Sequence, residues 1–152
     1  MVPAEVSLHH AQVELQRAAS IVELFDLDVD ASMLSESDLR IRVTGASCVD
    51  EEEYVVEMLF DGYRAIPPFV EFLDPDTGEA GTPAAYPSCF HTYPCICAVF
   101  NRKTYGQHSG LHKEWQYEDW TTNPATEDIG GILNHVYASI NNHFGNYAGR
   151  QG

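Results

Sequence analysis

Residues 54–73 read YVVEMLFDGYRAIPPFVEFL, in which two short apolar segments flank a turn and a double proline. The segments 54–60 and 69–73 are rich in Val, Phe and Leu, as β-strands are. Asp61-Gly62 is a turn signal, and Pro67-Pro68 lacks backbone donors and disfavours helix. The stretch therefore predicts two consecutive strands.

The residues before this stretch predict a helix and another strand. Apolar residues between Leu8 and Phe25 recur at three- and four-residue steps, which is typical of a helix. Ser7 and Pro3 are alternative starts for it. Apolar and polar residues alternate over 39–43, as in a strand with one exposed face. Residues 26–37 are polar and form a connection or include a short first strand.

The residues after this stretch are irregular at first and then helical. No period is sustained from Gly78 to about Asp119, and a segment of this length inside a compact domain is usually functional or mobile. Thr126-Glu127-Asp128 is typical of a helix start, with Thr126 as a candidate N-cap. An apolar face over 129–140 predicts the closing helix, and the polar, Gly-rich residues 141–152 predict a frayed tail.

The predicted fold is a single α+β domain over residues 1–152. It consists of an N-terminal helix, an antiparallel meander of three to four strands, an irregular crossover that carries cysteines, and a C-terminal helix. In such a layered arrangement the helices cover one face of the sheet.

Composition and length agree with a globular protein. The chain has 152 residues, of which 44% are hydrophobic, enough for one domain with its own core. It has no apolar run of about eighteen residues, so we expect no membrane-spanning helix. The first residues lack a secretion signal, and together with four cysteines this predicts free thiols in a reducing cytoplasm. A secreted domain with two disulfide bridges is the alternative.

The chain is strongly acidic. Its formal net charge is −15, from 8 basic and 23 acidic side chains. Nucleic-acid binding depends on Lys and Arg that neutralise phosphates, so we expect no nucleic-acid partner. An acidic surface favours a protein partner with a basic face, although solubility alone also explains the charge.

Three of the four cysteines lie in the irregular segment, at positions 89, 95 and 97. A cysteine on an exposed crossover supplies the thiolate that acyl transfer requires, but a buried and unreactive cysteine is the commoner state of the residue. Cys89, His91, Cys95 and Cys97 also form a compact set of soft ligands. Structural zinc sites usually space their cysteine pairs by two to four residues, so we expect no metal and no cofactor here.

The order of these pieces resembles the core of a ubiquitin-conjugating enzyme of a divergent, bacterial type. In that family a strand pair leads through a double proline to a long crossover that presents one reactive cysteine. The matching pieces here are the two strands, Pro67-Pro68, Ile96-Cys97, Trp120 with Pro124 and the closing helix. The family's cysteine lies between apolar residues, which favours Cys97 in Ile96-Cys97-Ala98 over Cys95 beside Pro94.

The sequence departs from the family at the residue that stabilises the oxyanion. The family uses an asparagine in His-Pro-Asn, whereas this chain has Tyr86-Pro87-Ser88. An imidazole can donate to an oxyanion and favours a thiolate nearby, so His91, His108 and His112 are candidate replacements. We favour His112, whose neighbours Leu111 and Trp115 can fix it by packing, and then His91 for its nearness. An ordinary surface role is the alternative for each.

The resemblance implies a function. An activating enzyme would transfer a ubiquitin-like protein to Cys97 as a thioester, and the modifier would then pass to an amine of a target protein. The N-terminal helix would contact the activating enzyme, as it does in the family. The alternative is a non-catalytic module of the same fold that binds a ubiquitin-like protein or its activating enzyme. A zinc-stabilised interaction domain is a third interpretation.

Overall fold

The computed structural model of the chain describes residues 2–92, 94–108, 110–122 and 127–152. The helices and strands are α1 (Ala4–Arg17), α2 (Ala19–Leu24), β1 (Asp28–Asp30), β2 (Arg40–Ala46), β3 (Glu53–Leu59), β4 (Phe69–Leu73), α3 (Tyr117–Thr122) and α4 (Ile129–Ile140). The strands form one antiparallel sheet in the order β1-β2-β3-β4. The predicted α+β class is confirmed, and none of the described helices is long and apolar enough to cross a membrane.

The N-terminal helix begins earlier than Ser7. Pro3 is its N-cap, and its carbonyl oxygen accepts from the backbone N–H groups of Val6 and Ser7. Ser7 is buried inside the helix. Pro3 can start the helix because its restricted φ suits this position and it lacks an N–H that would remain unpaired. Ala18 lies between α1 and α2, and its backbone angles (φ −80°, ψ 0°) stay in the right-handed helical region.

The register of the sheet places two apolar rows on its inner face. Cross-strand partners within β2, β3 and β4 are Ile41, Met58 and Val70 in one row and Val43, Val56 and Phe72 in the next, all fully buried. The outer face has charged neighbours instead: Arg40 Nη1 lies 2.7 Å and Arg42 Nε 2.9 Å from the Glu57 carboxylate. Because side chains alternate between faces, this register separates core from solvent along every strand.

Helix α4 begins at its cap and packs closely on the sheet. The Asp128 carboxylate accepts from the Gly131 N–H at 2.9 Å and is the N-cap, whereas the candidate cap Thr126 lies outside the described residues. Tyr137 is fully buried, and its hydroxyl oxygen lies 3.0 Å from the carbonyl oxygen of Val43 and 3.1 Å from that of Tyr54. Burial raises the pKa of this phenol. The Tyr137 side chain thus joins α4 to β2 and β3.

The C-terminal residues 141–152, for which the sequence predicts fraying, pack against the sheet and the crossover. The buried Tyr147 hydroxyl lies 2.9 Å from that of Tyr54, and the Arg150 guanidinium lies over the Tyr54 ring. The Gln151 N–H donates to the Tyr86 carbonyl oxygen at 2.9 Å. These long-range contacts outweigh the flexibility of the glycines in this segment, and local sequence does not reveal them.

We predict that Gly45→Ala destabilises the fold. A Cβ at Gly45 would lie 2.5 Å from Leu27 Cδ2 and 2.6 Å from Tyr137 Cε1, and the Tyr137 ring cannot retreat without losing its hydroxyl contacts. Overpacking of this kind costs about 1–3 kcal/mol of unfolding free energy, measurable by urea denaturation. Gly130→Ala is the control, since its Cβ would meet no atom closer than 3.5 Å. Equal stability of Gly45→Ala and wild type would contradict the prediction.

Candidate active site at Cys97

Cys97 follows a peptide that is fixed to the edge of the sheet. The Asn101 side-chain amide donates to the carbonyl oxygens of Ile96 at 2.8 Å and Val70 at 2.9 Å, and its oxygen accepts from the Val70 N–H at 2.9 Å. Asn101 and Ile96 are fully buried. A buried amide is tolerated only when its hydrogen bonds are made. Asn101 therefore fixes the residue before Cys97 against β4.

The residues after Cys97 are fixed as well. The Tyr105 hydroxyl donates to the Val99 carbonyl oxygen at 2.5 Å, and the Thr104 hydroxyl lies 2.9 Å from the Ala98 carbonyl oxygen. Tyr105 and Thr104 are fully buried. Cys97 itself is only partly buried. The sulfur is thus presented from a short segment that is held on both sides, although it has no regular secondary structure.

Two glycines let the following loop return to Cys97. The His112 N–H donates to the Thr104 carbonyl oxygen at 2.9 Å. A Cβ at Gly110 would lie 2.3 Å from the Lys103 carbonyl oxygen, and one at Gly106 would lie 2.5 Å from that of Lys113. Both obstacles are backbone atoms, so any larger residue at Gly106 or Gly110 would displace the loop. This close packing brings together Cys97 and His112, which are 15 positions apart in sequence.

The loop places the imidazole of His112 against the thiol of Cys97. Cys97 Sγ lies 2.9 Å from His112 Nε2. His112 Nδ1 lies 3.0 Å from an oxygen of Glu114, and the indole of Trp115 stacks on the imidazole at a centroid separation of 3.8 Å. A nucleophile, a base in contact with it and a group that orients the base form the general pattern of nucleophilic catalysis.

The charge of Glu114 defines the tautomer of the imidazole. Hydrogen bonds from its own backbone amide and from His112 lower the pKa of the Glu114 carboxyl. A carboxylate only accepts hydrogen bonds, so Nδ1 is the nitrogen that donates to Glu114. In the tautomer that carries its single proton on Nδ1, Nε2 faces the thiol as an acceptor. Partial burial raises the pKa of the Cys97 thiol. The 2.9 Å contact places the Cys97 thiol where it can donate to Nε2 of this tautomer.

The other predicted replacements for the asparagine lie elsewhere. His91 is exposed, its backbone pairs with Cys95, and its carbonyl oxygen accepts from the Gln151 side chain. His108 contacts the ring of Phe69, and the Ser88 hydroxyl accepts from the Ala148 N–H at 2.7 Å. Within the described parts of the chain, His112 is the imidazole that contacts Cys97, and neither His91 nor His108 does.

The four cysteines differ in burial. All are free, and Cys48 is exposed. Cys95 is fully buried, and desolvation raises the pKa of its thiol to about 11. Desolvation also raises the pKa of Cys89 to about 11. In the described residues, no group of three or more His, Cys, Asp or Glu side chains has the geometry to hold a metal ion.

Trp120, which the sequence singles out after the cysteine, is buried at the end of the crossover. Its ring lies 5.7 Å from that of Tyr63, and the Arg64 guanidinium lies over it at 5.3 Å. Trp120 thus joins the crossover to the turn after β3. Its predicted companion Pro124 lies outside the described residues.

Sequence reasoning did not assign a role to Glu114 or Asn101. The spacing His112-Lys113-Glu114 is a visible signal, but in a sequence this acidic it does not distinguish one carboxylate from many. The contacts of Asn101 span the crossover and β4, so no local pattern indicates them. Comparisons with known proteins add no assignment: no protein-family model matches the chain, and no curated protein matches it significantly.

We predict a specific pattern of cysteine alkylation in the folded protein. Iodoacetamide at neutral pH should modify Cys97 and Cys48, because the first has a base in contact and the second is exposed, while Cys95 remains protected by burial. Peptide mass spectrometry checks this, with the urea-unfolded protein as the control in which all cysteines react. Modification of Cys95 ahead of Cys97 in the folded protein would contradict the assignment of the nucleophile.

Proposed function

We propose that this protein is an acyl-transfer enzyme that carries a ubiquitin-like modifier as a thioester on Cys97 and passes it to an amine. The observation that carries the proposal is the 2.9 Å contact between Cys97 Sγ and His112 Nε2, with Glu114 on the second nitrogen of the ring. The order of a strand meander, Pro67-Pro68 and a cysteine-bearing crossover supports the resemblance to ubiquitin-conjugating enzymes.

In the charging step, Cys97 takes the modifier from a thioester on the activating enzyme. The sulfur attacks the carbonyl carbon while His112 Nε2 accepts the thiol proton. The bond between the carbonyl carbon and the donor sulfur breaks, and the proton passes to that leaving sulfur. Because the Cys97 pKa is raised by burial, the base is needed at neutral pH.

In the transfer step, an amine attacks the thioester on Cys97. Nε2 no longer faces an S–H group and accepts the proton that the amine loses as the new amide bond forms. Cys97 Sγ leaves and recovers a proton from the imidazole. His112 thus serves as base and then as acid, while Glu114 keeps the ring oriented through Nδ1.

The proposed partners follow from the resemblance and from the charge. Helix α1 would contact the activating enzyme, because that is the role of the N-terminal helix in the family. The net charge of −15 would suit a basic surface on this partner and accelerate their encounter. Four free thiols are compatible with a reducing cytoplasm as the place of action.

A non-catalytic binding module is the second candidate, and one observation favours it. The position of the family's asparagine is occupied by Ser88, whose hydroxyl accepts from the Ala148 N–H. This contact holds Ser88 at the C-terminal segment, and a serine hydroxyl is a weak replacement for the asparagine amide as an oxyanion donor. A module that only binds a ubiquitin-like protein has no need for such a donor.

We predict that Cys97 forms a thioester when an activating enzyme, its ubiquitin-like protein and ATP are supplied. Non-reducing gels should show a conjugate that disappears on reduction, because a thioester exchanges with added thiol. Cys97→Ala should abolish the conjugate and Cys95→Ala should retain it. Stable binding of the modifier without any conjugate would favour the binding module. Loss of the conjugate in Cys95→Ala but not in Cys97→Ala would show that the nucleophile is Cys95.

We further predict that His112→Ala slows transfer of the modifier to lysine by roughly two orders of magnitude, the usual contribution of one acid–base group. Single-turnover discharge of the preformed thioester measures this step. His91→Ala and His108→Ala are the controls, since these imidazoles do not contact Cys97 in the described structure. Discharge at the wild-type rate in His112→Ala would contradict the role of His112 as a base.

A further inference from the structure

The imidazole beside Cys97 is open to solvent. The His112 side chain is 34% exposed and that of Glu114 is 69% exposed. Water therefore reaches the ring from the side that faces away from the packed loop. Any acyl group on the sulfur would lie beside a base that is itself hydrated.

Acylation of Cys97 changes what His112 can do. In the resting site Nε2 faces the thiol at 2.9 Å. Once the sulfur is acylated, the thiol proton is gone and Nε2 is free to accept from another donor. A water molecule bound to Nε2 would then lie next to the thioester carbonyl carbon, which is the arrangement for general-base hydrolysis.

The imidazole of His112 is fixed by contacts on one of its nitrogens and on one of its faces. Its Nδ1 is bound to Glu114 and one face is covered by Trp115. Trp115 is itself held: its backbone N–H donates to the His112 carbonyl oxygen at 3.1 Å, and its ring lies 5.6 Å from that of Tyr105. One nitrogen and one face are thus fixed, and the remaining nitrogen points at the sulfur.

We propose that Cys97 and His112 also form a thioester hydrolase, which takes acyl groups directly from small thioesters in solution and transfers them to water. Glu114 is a positioning residue in this reaction. The inference rests on the same cysteine–histidine pair as the proposed function, but it requires no ubiquitin-like protein, activating enzyme or ATP.

The reaction has two balanced steps. In acylation, the bond from Sγ to the carbonyl carbon forms, the bond from that carbon to the donor sulfur breaks, and the Cys97 proton passes through His112 to the leaving thiolate. In deacylation, the water oxygen bonds to the carbonyl carbon and the bond to Sγ breaks. One water proton passes through His112 to Sγ, and the product is a carboxylic acid. No metal, oxidant or reductant takes part.

The test uses the acetyl thioester of N-acetylcysteamine as the only substrate. Release of free thiol over many turnovers is measured with a disulfide dye in samples taken at intervals and freed of protein, so that the dye does not block Cys97, after the variants have been shown to fold by circular dichroism. Cys97→Ala should fall to the background rate, and His112→Gln should be slower by about a hundredfold. Cys95→Ala and His91→Gln are the matched controls and should keep the wild-type rate.

Glu114→Gln tests the positioning residue. It should lower kcat by about tenfold and leave KM unchanged, because the carboxylate orients the base and does not touch the substrate. This is less than for a buried triad carboxylate, since solvent screens Glu114. Glu118→Gln, at an exposed carboxylate of helix α3, should have no effect. A change in KM alone would overturn the positioning role.

Mass spectrometry of the wild-type protein makes the test independent of any variant. Acetylation of the peptide that contains Cys97, with continued thiol release, supports the hydrolase. Stable acetylation without turnover would overturn the hydrolase and leave the proposed function intact. Turnover that His112→Gln does not slow would overturn the role of His112 as the base in the hydrolase. Thiol release from the small thioester, together with failure of the activating enzyme to charge Cys97, would support the hydrolase and contradict the proposed function.

Discussion

The buried amide of Asn101 is the interaction on which the site depends. Its nitrogen donates to the carbonyl oxygens of Ile96 and Val70, and its oxygen accepts from the N–H groups of Val70 and Lys103. An amide side chain offers two donors and one oxygen with two lone pairs, so every position is used. Residues 96–100 of the crossover belong to no helix or strand, so they have no hydrogen-bond ladder of their own to satisfy their backbone. Asn101 supplies that function from one side chain and fixes the crossover to β4.

The rest of the site extends from this fixed point. Arg102 continues the attachment: its N–H donates to the Pro68 carbonyl oxygen at 2.9 Å, and its guanidinium pairs with Asp61, whose pKa this pairing lowers. With the crossover held at the double proline and at the turn after β3, the close approaches at Gly106 and Gly110 determine where the loop returns. His112 therefore meets Cys97 through rigid neighbours, which is what precise catalytic geometry requires.

The sequence predicted those parts of the structure whose signals are local. The strand 69–73 has the predicted bounds, because prolines precede it and a turn follows it, and the apolar face of 129–140 marks α4. The packing of residues 141–152 and the contacts that fix the residues around Cys97 could not be predicted in this way. Tyr147 and Asn101 act through partners far away in sequence, and composition alone predicts a frayed tail. His112 was preferred to His91 because Leu111 and Trp115 lie beside it in sequence. Trp115 does stack on its ring, whereas Leu111 is exposed, and the catalytic role of His112 stays a prediction.

In the proposed function, an imidazole would act where the family that the chain resembles uses an amide, and this would change what the site can do. In the family that the chain resembles, the asparagine side chain stabilises an oxyanion but cannot accept a proton from a nucleophile. An imidazole can donate to a developing charge and also move protons at neutral pH. In the proposed function, the ring that activates Cys97 for charging would also activate any donor that reaches the thioester, and the His112 side chain, 34% exposed, would not exclude water. If the proposal holds, the lifetime of a thioester on Cys97 is set by His112 and its neighbours, and an amine acceptor competes with the solvent for it.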